Sequence, residues 1–108
     1  MAVDENYKNY ILDQLSELGE VNAKSMFGGV GFFLDGIMFA MIGGGVFRLR
    51  ADDENRPDYE AAGMTNYAPR KGSKGMPYWE VPVSVFEDKH ELKQWAKKAY
   101  EAALRGKK

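Results

Sequence analysis

Apolar residues recur at helical spacing near the N-terminus of the chain. They follow one another at intervals of three and four positions, the period of an amphipathic helix; this face comprises Tyr7, Tyr10, Ile11, Gln14, Leu15 and Leu18. Asp4 can cap the start of such a helix and Gly19 can end it. We therefore predict a helix over residues 4–18.

A second helical pattern lies at the C-terminal end. Asp88 followed three residues later by Glu91 has the form of a capping box. The apolar positions that follow are Leu92, Trp95, Ala96, Ala99 and Ala103. Lysine and arginine residues occupy the other face and the end of the segment, where positive charge complements the helix dipole. This pattern predicts a second long amphipathic helix.

Between these helices the chain is rich in Phe, Val, Ile, Met and Gly and carries strong turn signals. Asp35-Gly36 and the glycines at 43–45 are such signals, because tight hairpin turns need residues that accept a positive φ. They predict antiparallel strands at residues 25–34, 37–42 and 46–50. In the last of these, Phe47 and Leu49 face one side and the alternate residues face the other.

The remaining segment predicts shorter elements. Pro57 and Gly63 bound a short helix at residues 58–62, and two strands follow at 67–70 and 78–82. The order of helix, three strands, short helix, two strands and helix predicts an α+β fold. We expect one domain over residues 1–108, with two layers: an antiparallel sheet of about five strands and helices on one side of it.

The glycine-rich stretch MFGGVGFFLDG at residues 26–36 admits three interpretations: a phosphate loop, a close-packed strand or a binding edge. A phosphate loop needs a helix directly after its glycines, and here a hairpin follows instead. We therefore interpret Gly28, Gly29 and Gly31 as a bulge or a close backbone approach within one bent strand. The side chains expected in the core beside them are Met26, Phe27 and Phe32. An exposed strand edge for a partner stays open.

Composition argues against most catalytic chemistry. The 108 residues include no cysteine and a single histidine, His90, which we expect to be solvated in the first turn of the last helix. The acidic residues 52–54 lack the spacing of a Ca²⁺ loop, and we expect a solvated turn there. We expect no enzymatic activity, no cofactor and no metal site. No apolar run is long enough to cross a membrane, the N-terminal segment is polar, and we expect a cytoplasmic protein.

One set of basic and aromatic residues could form a binding site. Its members are Arg48, Arg50, Arg70, Lys71, Lys74, Tyr78 and Trp79, with Tyr67 nearby in sequence. Arginine and aromatic side chains can hold a nucleic-acid backbone and stack on bases. The alternative, which we favour, is an ordinary charged sheet face with the aromatic residues packed beneath a helix. The net charge of −1 also lacks the basic excess typical of a free-standing DNA-binding protein.

The motifs resemble those of the N-terminal domain of the TfoX (Sxy) family, bacterial proteins named for regulators of natural competence. The residues that carry the resemblance are Met26-Phe27-Gly28-Gly29, Gly31-Phe32, Asp35-Gly36, Phe39-Ala40, Arg48-Leu49-Arg50, Met76-Pro77-Tyr78, Glu80-Val81-Pro82, Leu92, Trp95 and Ala99. The resemblance implies a two-layer domain similar to secretion-chaperone-like folds. It also implies a role in transcription beside a cyclic-AMP receptor protein.

Three functional hypotheses follow. The first is a non-enzymatic regulatory module that contacts a transcription factor or RNA polymerase, as the resemblance implies. The second is direct nucleic-acid binding through the basic and aromatic set. The third is a general protein- or peptide-binding module, and a homodimer formed through an open sheet edge is compatible with each of them.

Overall fold

A computed structural model describes residues 5–26, 29–67 and 76–106. Its elements, in chain order, are α1 (Glu5–Gln14), β1 (Val21–Met26), β2 (Gly29–Leu34), β3 (Ile37–Gly43), β4 (Val46–Arg50), α2 (Arg56–Ala61), β5 (Asn66–Tyr67), β6 (Met76–Glu80), α3 (Val83–Phe86) and α4 (Lys89–Arg105). Among these described residues, no helix combines the length and the apolar character needed to cross a membrane.

The strands form one antiparallel sheet of six strands in the order β1-β2-β3-β4-β6-β5. Both predicted hairpin turns are present, and their residues have the positive φ that such turns require: 52° and 79° at Asp35 and Gly36, and 62° and 79° at Gly44 and Gly45. The predicted α+β class, with an antiparallel sheet and helices packed on one side, is confirmed.

The prediction of a single strand at residues 25–34 is wrong. Two antiparallel strands, β1 and β2, occupy residues 21–34, and Met26 pairs with Gly29 across the hairpin. Gly29 makes the predicted close backbone approach, against the carbonyl of Ile42, but it does so at the start of β2 and not within one bent strand. Phe27 and Gly28 lie outside the described residues, whereas Phe32 is fully buried in the core as predicted. The prediction of Met26 in the core is wrong: this residue pairs with Gly29 on the side of the sheet opposite Phe32, and its side chain is partly exposed.

The remaining element boundaries differ in smaller ways. α1 ends at Gln14, because the bond from the Leu18 amide to the Leu15 carbonyl (3.0 Å) tightens the chain into turns over the last predicted helical residues. β6 ends at Glu80, two residues early, because Pro82 is the N-cap of the short, unpredicted helix α3. The other strand of this hairpin, predicted at 67–70, is described only at Asn66–Tyr67.

Each face of the sheet has a distinct composition. The inner face packs against the helices and contributes to one core cluster with them; its central members are Val30, Phe32, Phe39, Ala40, Ile42, Phe47 and Leu49. The helical members include Ile11, Leu15, Leu92, Ala96, Ala99 and Ala103. Burying each large apolar side chain of this set contributes about 1.5–3 kcal/mol, so this interface is the main source of stability.

A β-bulge allows two consecutive residues of β3 to face the helices. Phe33 pairs with Met38, but Phe32 pairs with Ala40, so Phe39 is the extra residue. Phe39 is fully buried and its ring meets that of Tyr100 on α4 edge-on, with 6.3 Å between centroids. The bulge thus adds an aromatic side chain to the core at the place where α4 crosses the sheet.

The loop between β4 and α2 holds the C-terminal end of α4. Asn55, which is 3% exposed, accepts a bond from the Asp52 amide (2.7 Å) and donates one to the Arg50 carbonyl (3.1 Å). Asp52 then receives two bonds from Arg105, at 2.6 and 2.9 Å. These bonds hold the pKa of Asp52 at about 2, below its ordinary value of 3.8. The prediction of a solvated turn at residues 52–54 is therefore wrong for Asp52, whose bonds with Arg105 attach the end of α4 to this loop.

We expect Gly29→Ala to destabilise the protein by about 2 kcal/mol, the cost of overpacking a site that cannot relax. A Cβ at Gly29 would lie 2.2 Å from the carbonyl oxygen of Ile42, which is backbone. Gly31→Ala is the matched control, because the atoms nearest to its Cβ would belong to the side chains of Met26 (3.0 Å) and Phe33 (3.1 Å) and not to the backbone. Urea denaturation measures both; equal losses would contradict the close approach at Gly29.

We expect Tyr59→Phe to raise the free energy of unfolding by about 1 kcal/mol, because it removes a buried hydroxyl with no bonding partner among the described residues. Tyr59 is 1% exposed, and burial raises its pKa. In contrast, Tyr7→Phe should lower stability by a similar amount, because the Tyr7 hydroxyl accepts a bond from the Phe47 amide (3.2 Å). A loss of stability in Tyr59→Phe would show that its hydroxyl has a partner.

We expect Asp52→Asn to lower the free energy of unfolding at pH 7 by about 1 kcal/mol, as for a well-oriented surface pair. The pKa of Asp52 is lower in the folded protein than its ordinary 3.8, so this contribution is present above pH 4 and is lost as the pH falls toward 2. Asp53→Asn is the control, since Asp53 is almost fully exposed in its pair with Arg56. A pH-independent difference between wild type and Asp52→Asn would contradict the assignment.

Candidate interaction surface

The second face of the sheet, which we call the outer face, is turned away from the helices. Strand pairing places its side chains opposite to those of the core, and none of them belongs to the cluster that the helices cover. Its apolar members are Met26, Phe33, Met38, Met41 and Tyr67, all partly exposed. Its charged members are Lys24, Arg48 and Glu80.

Two glycines create space in the outer face that neighbouring side chains fill. The Met26 methyl group and the Phe33 ring lie over Gly31, and the Met41 methyl group and the Tyr67 ring lie over Gly43. Met26, Phe33 and Met41 together form a shallow apolar surface across the central strands, which we call the apolar floor. Methionine is flexible and polarisable, so such a floor can adapt its shape to what it contacts.

Arg48 is held in one orientation on this face. Its guanidinium carbon lies 4.7 Å from the centroid of the Tyr67 ring, and its Nε donates to the Gly43 carbonyl (3.4 Å). Its terminal nitrogens have no hydrogen-bond or ion-pair partner among the described residues. Arg48 therefore presents two oriented donors to solvent.

Arg50 is placed differently from Arg48. Its guanidinium lies 5.9 Å from the Tyr78 ring centroid and approaches Gly106 at the end of α4. Its Nε is buried without a bonding partner in the described part of the chain. Tyr78 is only 5% exposed. Both residues thus take part in local packing rather than in an open surface.

The set of basic and aromatic residues predicted from the sequence is divided by the fold. Trp79 lies on the inner face, where its ring centroid is 6.1 Å from that of Tyr59, because neighbouring residues of a strand point to opposite faces. Arg70, Lys71 and Lys74 lie outside the described residues. Arg50 and Tyr78 pair on the same side of the sheet as Arg48, but Arg48 is the member of the set that the outer face presents to solvent. The sequence does not predict exposed methionines around it and places Met26 in the core, since nothing in their spacing distinguishes them from core residues.

Charge is distributed unevenly between the two layers. Apart from Asp35 in the β2–β3 turn and Glu80 on β6, every carboxylate of the described residues lies on a helix or in a loop that joins a helix to another element. The outer face carries Lys24, Arg48 and Glu80, whereas most of the described carboxylates, together with most of the described lysine and arginine residues, lie on the helices and in the loops beside them. The described acidic residues are therefore found mainly away from the outer face.

A small cleft lies beside the end of β6, where β4 extends beyond its neighbour. It encloses about 90 Å³ between α1, α3 and β4, and its walls include Tyr7, Phe47, Glu80, Val83 and Phe86. The Tyr7 hydroxyl accepts the Phe47 amide at the cleft, and burial raises the pKa of this tyrosine. Most of the lining residues are apolar, the Tyr7 hydroxyl is already used to satisfy the strand edge, and the Glu80 carboxylate is the other polar side-chain group of the walls.

No cluster of histidine and acidic residues suited to a metal ion occurs among the residues that the structure describes. The predicted position of His90 is correct: it lies exposed at the start of α4, and its amide donates to the Asp88 carboxylate (3.0 Å), which caps the helix.

Comparison with known proteins identifies the same family as the sequence motifs. No curated protein matches the chain. The model of one family, the TfoX N-terminal domain, matches residues 13–103, which include every strand and most of the helical layer. The chain therefore belongs to the TfoX N-terminal domain family.

Proposed function

We propose that this protein is a non-enzymatic regulatory module that acts in transcription by binding a protein partner on its outer face. Membership of the TfoX N-terminal domain family supports the regulatory role, since the family is named for regulators of competence. The observation that carries the choice of surface is the apolar floor formed by Met26, Phe33 and Met41, which the helices leave uncovered.

An apolar surface in contact with water is unfavourable, and the partly exposed side chains of Met26, Phe33 and Met41 lie beside one another on this face, which favours a site of interaction. The outer face has a flat floor, flexible methionines and one oriented arginine at its border, which are features enriched in protein–protein interfaces. This combination favours a protein partner.

Direct nucleic-acid binding is the second candidate, favoured by Arg48 and Lys24 on the outer face. Sequence-independent binding of single strands uses aromatic rings as stacking platforms. The ring of Tyr67 is covered by Arg48, Tyr78 is buried, and Trp79 faces the helices. Phe33 is then the remaining ring on the outer face within the described chain, so stacking is poorly supported.

We expect a photo-reactive amino acid in place of Met41 to cross-link to RNA polymerase or to the cyclic-AMP receptor protein of the source organism. The same amino acid at Lys97, exposed on α4, is the control and should give no product. Because the outer face forms the proposed contact, Met41→Asp should also abolish the effect of the protein on a competence-promoter reporter. Mass spectrometry of purified mixtures identifies the products.

Equal labelling from both positions, or none from either, would contradict the proposal. A gel shift with single- and double-stranded DNA at low salt separates the second candidate. Retardation that Arg48→Gln removes and Met41→Asp leaves intact would favour nucleic acid over a protein partner.

A further inference from the structure

The outer face has a charge pattern that specifies the kind of partner it fits. One row of paired residues crosses five strands: Lys24 on β1, Gly31 on β2, Met41 on β3, Arg48 on β4 and Glu80 on β6. Lys24 and Arg48 therefore flank the low, apolar middle of the row, and the carboxylate of Glu80 ends the row beyond Arg48. Three strand spacings separate the two cations, a distance of about 14 Å.

We propose that the partner segment is an amphipathic helix whose apolar stripe is bordered by carboxylates; this rests on the proposed function and deepens it. A helix has a diameter of about 10–12 Å and fits between the two cations. Its apolar stripe contacts the floor at Gly31 and Met41, and acidic side chains on its two borders reach Lys24 and Arg48.

Arg48 is the stronger of the two contacts. The Tyr67 ring and the Gly43 carbonyl hold the guanidinium, so little rotational freedom is left to lose on binding. Its unpaired terminal nitrogens form a fork that matches the two oxygens of a carboxylate. Lys24 is an exposed point charge without a partner among the described residues, and it attracts a carboxylate without fixing its geometry.

The distribution of charge selects an acidic segment over a basic or neutral one. The described carboxylates are concentrated in the helical layer, so the outer face has few acidic groups to repel an anionic partner. Glu80, opposite Arg48 in the strand register, forms no ion pair with it, which leaves the arginine available. Long-range attraction of this kind raises the association rate, and the effect falls as salt is added.

The test uses three labelled peptides of about 18 residues, or five helical turns. All have a leucine stripe, bordered by glutamate in the first, by glutamine in the second and by lysine in the third. Fluorescence anisotropy with the full chain gives their dissociation constants. We expect the glutamate peptide to bind about tenfold more tightly than the glutamine peptide at low salt, and the lysine peptide not to bind.

Variants of the protein locate the binding. Arg48→Gln should weaken binding of the glutamate peptide about tenfold and Lys24→Gln about threefold, and both should leave the glutamine peptide unchanged. Arg56→Gln is the matched control: Arg56 lies on α2, is bound to Asp53 and Glu60, and should have no effect. Circular dichroism confirms that each variant is folded.

Three outcomes would overturn the inference: equal binding of the glutamate and glutamine peptides, no binding of either, or displacement of the glutamate peptide by a thymidine oligonucleotide that binds more tightly. These outcomes are separable from failure of the proposed function. If the cross-linked partner contacts Met41 through a neutral or basic segment, the protein-binding role stands and the acidic helix is wrong. If the glutamate peptide binds as described and no transcription protein cross-links, the surface chemistry stands and the role in transcription is wrong.

Discussion

The packing of α4 against β3 and β4 is the contact on which the rest of the structure depends. The helix presents small residues, Ala96, Ala99 and Ala103, so its backbone can approach the sheet closely. Larger side chains from the sheet, among them Phe39 and Leu49, belong to the same core cluster as these alanines. Interiors are packed at the density of organic crystals, so this complementarity sets the position of α4 along the sheet.

The described helices pack on one side of the sheet, so they do not cover the apolar side chains of the outer face. The glycines at 31 and 43 allow Met26, Phe33, Met41 and Tyr67 to lie flat over the strands. This arrangement hides part of each side chain without a second layer of helices. Because these side chains lie flat, the outer face is a shallow surface that a partner can reach. The arrangement that limits the exposure of the apolar side chains therefore also makes the face suited to binding.

The candidate surface was only partly accessible to sequence reasoning. The alternation of Arg48 with Phe47 and Leu49 correctly assigned this arginine to the face opposite the core. Grouping Tyr78 with Trp79 did not follow the same rule, since adjacent strand residues face opposite sides. The outer-face methionines could not be separated from core residues by spacing, because their exposure depends on which face the helices cover.

Local chemistry determined several elements. Residues that accept a positive φ at Asp35-Gly36 and Gly44-Gly45 formed the hairpin turns, Asp88 began α4, and apolar periodicity indicated the buried side of α1, α4 and β4. The strand order, the split of residues 21–34 into a hairpin, and the bulge at Phe39 came from the tertiary structure. The segregation of charge and the row from Lys24 to Arg48 arose there as well. These features depend on contacts between residues far apart in the chain, and no local pattern encodes which strands become neighbours or which face remains open.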